Sequence, residues 1–354
     1  MFLLVCADFT YSKILYITPS LNVSCPQDHH HTHPCPTLSQ FAAYSSSYQV
    51  NETNISLFFL PGKHSLDREL SLTYADNFLM TKNAQDYDLV IIECARQKER
   101  FYIKETTFAS IKCLHFIGCG GNTVIRVDQF VIEDTIFQGV EGRGTALVLN
   151  VVFDASIVRS YFLSNTHDED FGGALYIASS NVMIDDTKFH KNRAQFGVAI
   201  AVLDGNISIS NSQFLNSNAV SDLSGFGVIL LFESKGSIDN SKFMSNTATS
   251  GGVLSVHNSS LKVARSTFSD NKAYIKGGVM ATYESSINIT DSIFTNNIAA
   301  DYNCGVFFVY TSSFNITSSS FTNNSAAEEG GVIAVSESWF NVTSSTFTNN
   351  NAAE

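Results

Sequence analysis

Phenylalanine recurs in this chain at an almost fixed interval. Phe137, Phe162, Phe189, Phe214, Phe243, Phe268, Phe294, Phe321 and Phe347 are separated by 25, 27, 25, 29, 25, 26, 27 and 26 residues. Other residue types keep the same phase. Asn follows three residues later at Asn165, Asn192, Asn246, Asn271, Asn297, Asn324 and Asn350, and Ala two residues after that at Ala194, Ala219, Ala248, Ala273, Ala299, Ala326 and Ala352. A Gly such as Gly173, Gly252 or Gly278 then opens a short apolar run, and alternating apolar pairs such as Val182/Ile184, Ile207/Ile209 and Ile287/Ile289 precede the next Phe. Each unit therefore reads as short strands of period two, broken by Gly and by Asn/Ser/Thr clusters. One unit cannot bury its own apolar face, whereas stacked units can, each strand pairing in parallel with its counterpart one coil on, ~4.8 Å away. The pattern predicts an all-β chain folded as a right-handed parallel β-helix, a pectin-lyase-like solenoid. Phe189, Phe214, Phe243, Phe268, Phe294 and Phe321 are expected to stack inside the tube. Asn192, Asn246, Asn271, Asn297 and Asn324 are expected to form a ladder at a turn, where stacked amides bond one another and the backbone.

The beginning of the chain reads differently. Residues 1–20 hold an apolar start, FLLVCA after Met1, short and without a preceding Lys or Arg, and then the strand-like KILYIT. They are assigned as an atypical secretory signal or a first strand. Residues 21–54 are read as an N-terminal cap: TLSQFAAY, with Thr37 as N-cap and Leu38, Phe41 and Ala42 at helical spacing, predicts a short amphipathic helix over the open end of the core. From 55 to 354 the chain is read as β-helix, ending inside a unit, as a truncated solenoid or a fragment of a longer product would.

The repeat motifs carry a resemblance. FLSN with GGAL, FMSN with GGVL, FSDN with GGVM and FTNN with GGVI resemble the repeats of the polymorphic outer membrane proteins of chlamydiae, over about residues 130–354. The whole chain, including its SCPQ and PCPTLSQFA opening, is similar to large β-helix surface proteins predicted in sponges. The first resemblance implies adhesion. It departs from that family in showing no C-terminal membrane-barrel segment.

Apolar residues make up 44% of the chain and charged residues 15%, with a formal net charge of −12. No clustered Lys/Arg surface is visible, which argues against nucleic acid as a partner, and no stretch approaches the length of a membrane-spanning helix. Seven cysteines occur without a CxxC pair. Cys94 and Cys119 lie 25 residues apart, one coil's length, and are expected to pair. Cys25 and Cys35 are expected to close a loop holding His29, His30, His31 and His33, in preference to a Zn²⁺ or Cu²⁺ site, because a structural metal site draws ligands from separated segments. Cys113 and Cys304 are expected to stay unpaired. No cofactor is implied.

Parallel β-helices host polysaccharide lyases, hydrolases and epimerases, whose sites need clustered carboxylates with a Lys or Arg. The nearest cluster is Asp168, Glu169, Asp170, Asp185, Asp186 and Lys188, better read as loop and turn residues. Opposite charges at Asp134, Arg159, Asp186, Arg265 and Asp291, all three residues before a Phe, suggest stacked ion pairs. Nine N-x-S/T sequons are present. Because Asn, Ser and Thr abound, only those that alternation turns outward count for much. Asn206, Asn258, Asn288, Asn315 and Asn341 are the candidate glycosylation sites. The reading that results is a non-catalytic extracellular or cell-surface module, adhesive or stalk-like, binding an extracellular glycan or protein. The alternative is a carbohydrate-active enzyme on the same fold.

Overall fold

The computed structural model describes residues 12–19, 36–47, 54–82, 89–94, 100–142, 144–168, 171–220, 225–301 and 304–353. They form a parallel β-helix, in which every strand pairing is parallel and joins one coil to the next. The coil beginning at Met280 shows the plan. Its strands are Met280–Tyr283, Ser286–Thr290, Ile293–Thr295 and Ile298–Ala299. Stacked over the coils, these positions give a 21-stranded sheet holding the first two, a 12-stranded sheet and a 7-stranded sheet. The first two merge because Phe101–Lys112, Asn122–Glu133 and Leu147–Val158 run through their shared corner.

Three corners of each regular coil are built alike. In the coil of Met280 they are Glu284–Ser285, Asp291–Ser292 and Asn296–Asn297. The first residue of each is left-handed, with φ of 49°, 49° and 54°, and the second is buried and polar. A left-handed residue reverses the alternation of side chains, turning the chain and driving the next side chain inward. A non-glycine residue there costs about 1–2 kcal/mol, and the polar side chain that follows offsets it. Ser292 Oγ accepts the Ser266 N–H at 3.2 Å and donates to Thr290 O at 2.8 Å. The same bonds recur through Thr135, Ser160, Thr187, Ser212, Ser241, Ser266, Ser292 and Ser319. A second hydroxyl ladder runs through Ser234, Ser259, Ser285, Ser312 and Ser338.

The third corner carries asparagine. Asn271 Oδ1 accepts from the Asn246 N–H and Nδ2, both at 3.1 Å. Its Nδ2 donates to Asn297 Oδ1 at 3.0 Å and to Phe243 O at 3.1 Å. Asn297 to Asn324 and Asn324 to Asn350 repeat the arrangement. Between Asn192 and Asn246 the position is Ser217, whose Oγ accepts the Asn192 N–H at 3.3 Å and donates to Leu215 O at 3.5 Å, with no amide to extend the chain. Inside, the rings of Phe116 through Phe347 form one stack with centroids 4.6–5.1 Å apart and planes within 2–10° of each other. Centroids that far apart between near-parallel rings indicate the offset geometry aromatic pairs favour.

The fourth corner is the Gly-Gly step. Gly277 has a φ of +63°, and a Cβ on Gly278 would lie 2.2 Å from Gly305 O in the next coil, so the coils touch there backbone to backbone. In the following coil Cys304 occupies the first of these positions with a φ of 77°.

At the start of the tube, Ser12–Ile17 pairs with Asn54–Phe59. One helix, Leu38–Ser47, packs on the strands Leu70–Thr73 and Gly62–Leu66. Thr37 and Gln40 close a reciprocal cap, Thr37 Oγ1 accepting the Gln40 N–H and Gln40 Oε1 accepting the Thr37 N–H. Leu38, Phe41 and Ala42 are its buried face.

Candidate functional site

A recessed surface lies on the outer face of the second strand position. It is a groove of about 740 Å³ running across the coils from Asp154 to Asn288. Two local features shape it. Asn150 pairs with Ala178 and Ala155 with Val182, so residues 151–154 round a corner that 179–181 round in the next coil. The extra residue leaves Phe153 75% exposed as a ledge, fixed by Asn181 Nδ2 donating to its carbonyl at 2.8 Å. Farther along, Gly236 stands where neighbouring coils place inward Ile207 and Leu261. A Cβ there would lie 2.7 Å from Leu231 Cδ1 and 2.9 Å from Leu261 Cδ1, so the tips of these two side chains take the space of an inward residue.

Outward residues in two columns line the groove. One runs Asn181, Asn206, Lys235, Ser260 and Ser286, the other Met183, Ser208, Ser237, Lys262 and Asn288. Asn206 Nδ2 donates to Asn181 Oδ1 at 2.6 Å. Lys235 and Lys262 are exposed and have no ion-pair partner among the described residues. Acidic residues stand at both margins. Asp204, Glu233 and Glu284 hold left-handed corners on one side. On the other, Asp185 accepts from Ser210 and Asn211 at 2.7 Å each, which holds its carboxyl below the ordinary value, and Asp239 pairs with Arg265.

A neighbouring face carries an aromatic column, Phe232, His257, Tyr283 and Tyr310, in register across four coils. His257 stacks on Tyr283 at 4.8 Å, so these rings cover one another and offer mainly their edges to solvent. Burial holds the His257 imidazole below its ordinary value.

The residues singled out from sequence fall as follows. Cys94 and Cys119 form a disulfide with Cα atoms 5.0 Å apart, while Cys25, Cys35 and the histidines between them lie outside the described residues. Cys113 and Cys304 are free thiols, and burial pushes Cys304 up to about 12. Glu169 and Asp170 lie outside the described residues, and among those described no group of three or more His, Cys, Asp or Glu converges. The charges three residues before each Phe occupy left-handed corners, but they form no continuous ladder. Arg159 pairs with Glu133 and Asp134, whereas Arg265 pairs with Asp239 and not with Asp291. Of the sequon asparagines, Asn206, Asn258 and Asn288 are exposed, and Asn315 and Asn341 are half-buried. Asn288, Asn315 and Asn341 share one column, Asn315 Nδ2 donating to Asn288 at 3.2 Å and Asn341 Nδ2 to Asn315 at 2.8 Å. The groove was not among the expectations. Its only sequence signals are Gly236 in place of an alternating apolar residue and the apolar Phe153 beside Asp154.

Taken together, the parallel coils, the inward Phe and Asn ladders and the Gly-Gly step define a solenoid of one class. The chain belongs to the right-handed β-helix region family, whose model matches residues 145–302 and 205–353, more than half of the sequence. A search of curated protein sequences finds no match. Among solved structures, the chain is similar to the catalytic unit of a thermostable α-1,3-glucanase from Streptomyces thermodiastaticus, at 12% identity and a TM-score of 0.48, covering 99% of this chain and 71% of that one. It is also similar to a pectate lyase, at 11% identity and a TM-score of 0.35 with 98% and 82% covered. A surface adhesin of Streptococcus pneumoniae matches at 10% identity and a TM-score of 0.34, with 96% and 93% covered. These likenesses concern the fold.

Proposed function

We propose that this chain is a non-catalytic, extracellular binding module that holds an extended glycan along the groove from Asp154 to Asn288. The observation that carries the reading is the groove lining: hydroxyls and amides repeat from coil to coil, able both to donate and to accept. Such rungs recur every ~4.8 Å, a step comparable to one sugar unit of a chain. An extracellular setting is supported by the Cys94–Cys119 disulfide, since disulfides persist in oxidising compartments. The test is a glycan array probed with the purified chain, followed by incubation of each bound glycan with the protein. Retention without new reducing ends or unsaturated products is the expected result. Chain cleavage would overturn the non-catalytic reading, and an array with no bound glycan would overturn the glycan.

A further inference from the structure

The charges along the groove have a pattern that the proposed glycan site alone does not require. Lys235 and Lys262 stand on adjacent coils in opposite columns, because Lys235 pairs with Ser260 and Ser237 with Lys262. One coil step and two residues along the strand put their Cα atoms about 8 Å apart on the diagonal. Hydroxyls and amides surround them: Asn206, Ser208, Ser237, Ser260 and Asn288. The positive charge is thus confined to the middle of the groove in a chain whose net charge is −12. Of the flanking carboxylates, Asp185 and Asp239 are occupied by Ser210, Asn211 and Arg265. Asp204 accepts from Ser179 Oγ at 3.2 Å. Glu233 and Glu284 are exposed.

We infer that the groove selects a sparsely anionic glycan, one in which isolated carboxylates alternate with neutral sugars, with Lys235 and Lys262 each taking one carboxylate. This inference rests on the proposed glycan reading and refines it. A lysine ammonium is a compact point charge with three rotatable donors and can meet a carboxylate from several directions. With Cα atoms about 8 Å apart on the diagonal and flexible four-carbon stems, two such charges match a ligand with one negative group on every second sugar. A densely sulfated or fully uronic chain would also place negative charge against Asp204, Glu233 and Glu284 at the margin, where like charges repel. A wholly neutral chain would leave both ammonium groups without a partner.

The experiment uses the intact chain and three probes of similar length: alternating uronate–hexosamine oligosaccharides from hyaluronan, heparin oligosaccharides and neutral cello-oligosaccharides. Affinities are measured by calorimetry at low and high salt. The alternating probe should bind tightest. Lys235→Ala together with Lys262→Ala should weaken it about tenfold, as the loss of two exposed ion pairs implies, and should remove most of its salt dependence. Lys242→Ala, on another face, should change nothing, and unaltered thermal unfolding of all variants checks that both lysines are dispensable for the fold. Tightest binding of heparin, equal binding of the neutral probe, or indifference to the double substitution would each overturn the inference while leaving a glycan site standing. Failure of all three probes together with an empty glycan array would instead remove the underlying function.

Discussion

Replacing Asn271 with alanine should be far more damaging than replacing it with serine, and the size of the difference can be worked out from its bonds. The buried Asn271 side chain makes four hydrogen bonds, two accepted from Asn246 and one each donated to Asn297 Oδ1 and Phe243 O. Alanine deletes all four. Asn246 Nδ2 would retain Phe214 O, and Asn297 Oδ1 would retain the Asn271 N–H. The Asn246 N–H would lose its side-chain acceptor in a place closed to water, which costs about 1–3 kcal/mol, and each remaining bond carries about 0.5–1.5 kcal/mol net. The expected destabilisation is about 2.5–7.5 kcal/mol. Serine should restore the costliest contact, because Ser217 already stands in the same column and accepts the Asn192 N–H through Oγ. Asn271→Ser should therefore cost about 1.5–4.5 kcal/mol. Urea unfolding followed by circular dichroism would measure both variants. Equal losses for alanine and serine, or a loss below about 0.5 kcal/mol for alanine, would refute the claim that this corner is held by main-chain capture.

Phe268→Ala opens a cavity between the rings of Phe243 and Phe294, whose centroids lie 4.8 and 4.9 Å away, and should cost about 3–5 kcal/mol. Asn288→Ser on the exposed face should stay within about 0.5 kcal/mol; equal losses in the same denaturation assay would mean that the inner and outer faces are exchanged. His64 is buried with Nε2 against Leu60 O at 2.8 Å, and burial chiefly holds its imidazole below the ordinary value of 6.5, against the pull of the Leu60 and Thr18 carbonyls. The unfolded chain then binds more protons below about pH 6.5, so the stability that neutral His64 contributes is present above that value and is lost as pH falls. Thermal midpoints should drop between pH 7.5 and 5, and His64→Gln should drop less over the same range; parallel profiles would show that another group sets the dependence.

The repeat was legible because three stacked columns admit few residue types. Only a flat ring fills the Phe column, where planes lie within 10° of each other, and Asn alone both accepts the neighbouring N–H and extends an amide chain. Those two constraints fix phase, and phase fixes the fold. The hydroxyl ladders follow the same logic but were not read from the sequence. Ser and Thr are frequent on the outer faces too, so their presence two residues before each Phe, as at Ser266 and Ser292, does not stand out from composition. The left-handed residues ahead of them vary among Asp, Arg, Asn and Ser, since such a corner restricts backbone shape more than side-chain chemistry. The ion pairs illustrate the consequence. Residue type at one phase suggested a continuous ladder, but exposed arginines reach sideways as easily as along the axis, and Arg265 chose Asp239.

The groove is a departure from the repeat, which explains why periodicity could not find it. A strict solenoid would present flat faces. Depth arises where one coil rounds its corner with residues 151–154 and the next with 179–181, and where Gly236 removes an inward side chain that its neighbours keep. Each change is silent in an alignment of Phe and Asn: the step from Phe162 to Phe189 is two residues longer than that from Phe137 to Phe162, although its corner at 179–181 is one residue shorter than 151–154. The same reasoning separates Lys235 and Lys262 from the other lysines. As residue types they are ordinary exposed charges, and they become a pair only because the register Lys235↔Ser260 places them on adjacent coils beside Gly236. Refilling position 236, as in Gly236→Val, would push that strand outward. It should therefore weaken glycan retention even though both lysines remain, which makes the shape of the floor, not charge alone, part of the recognition.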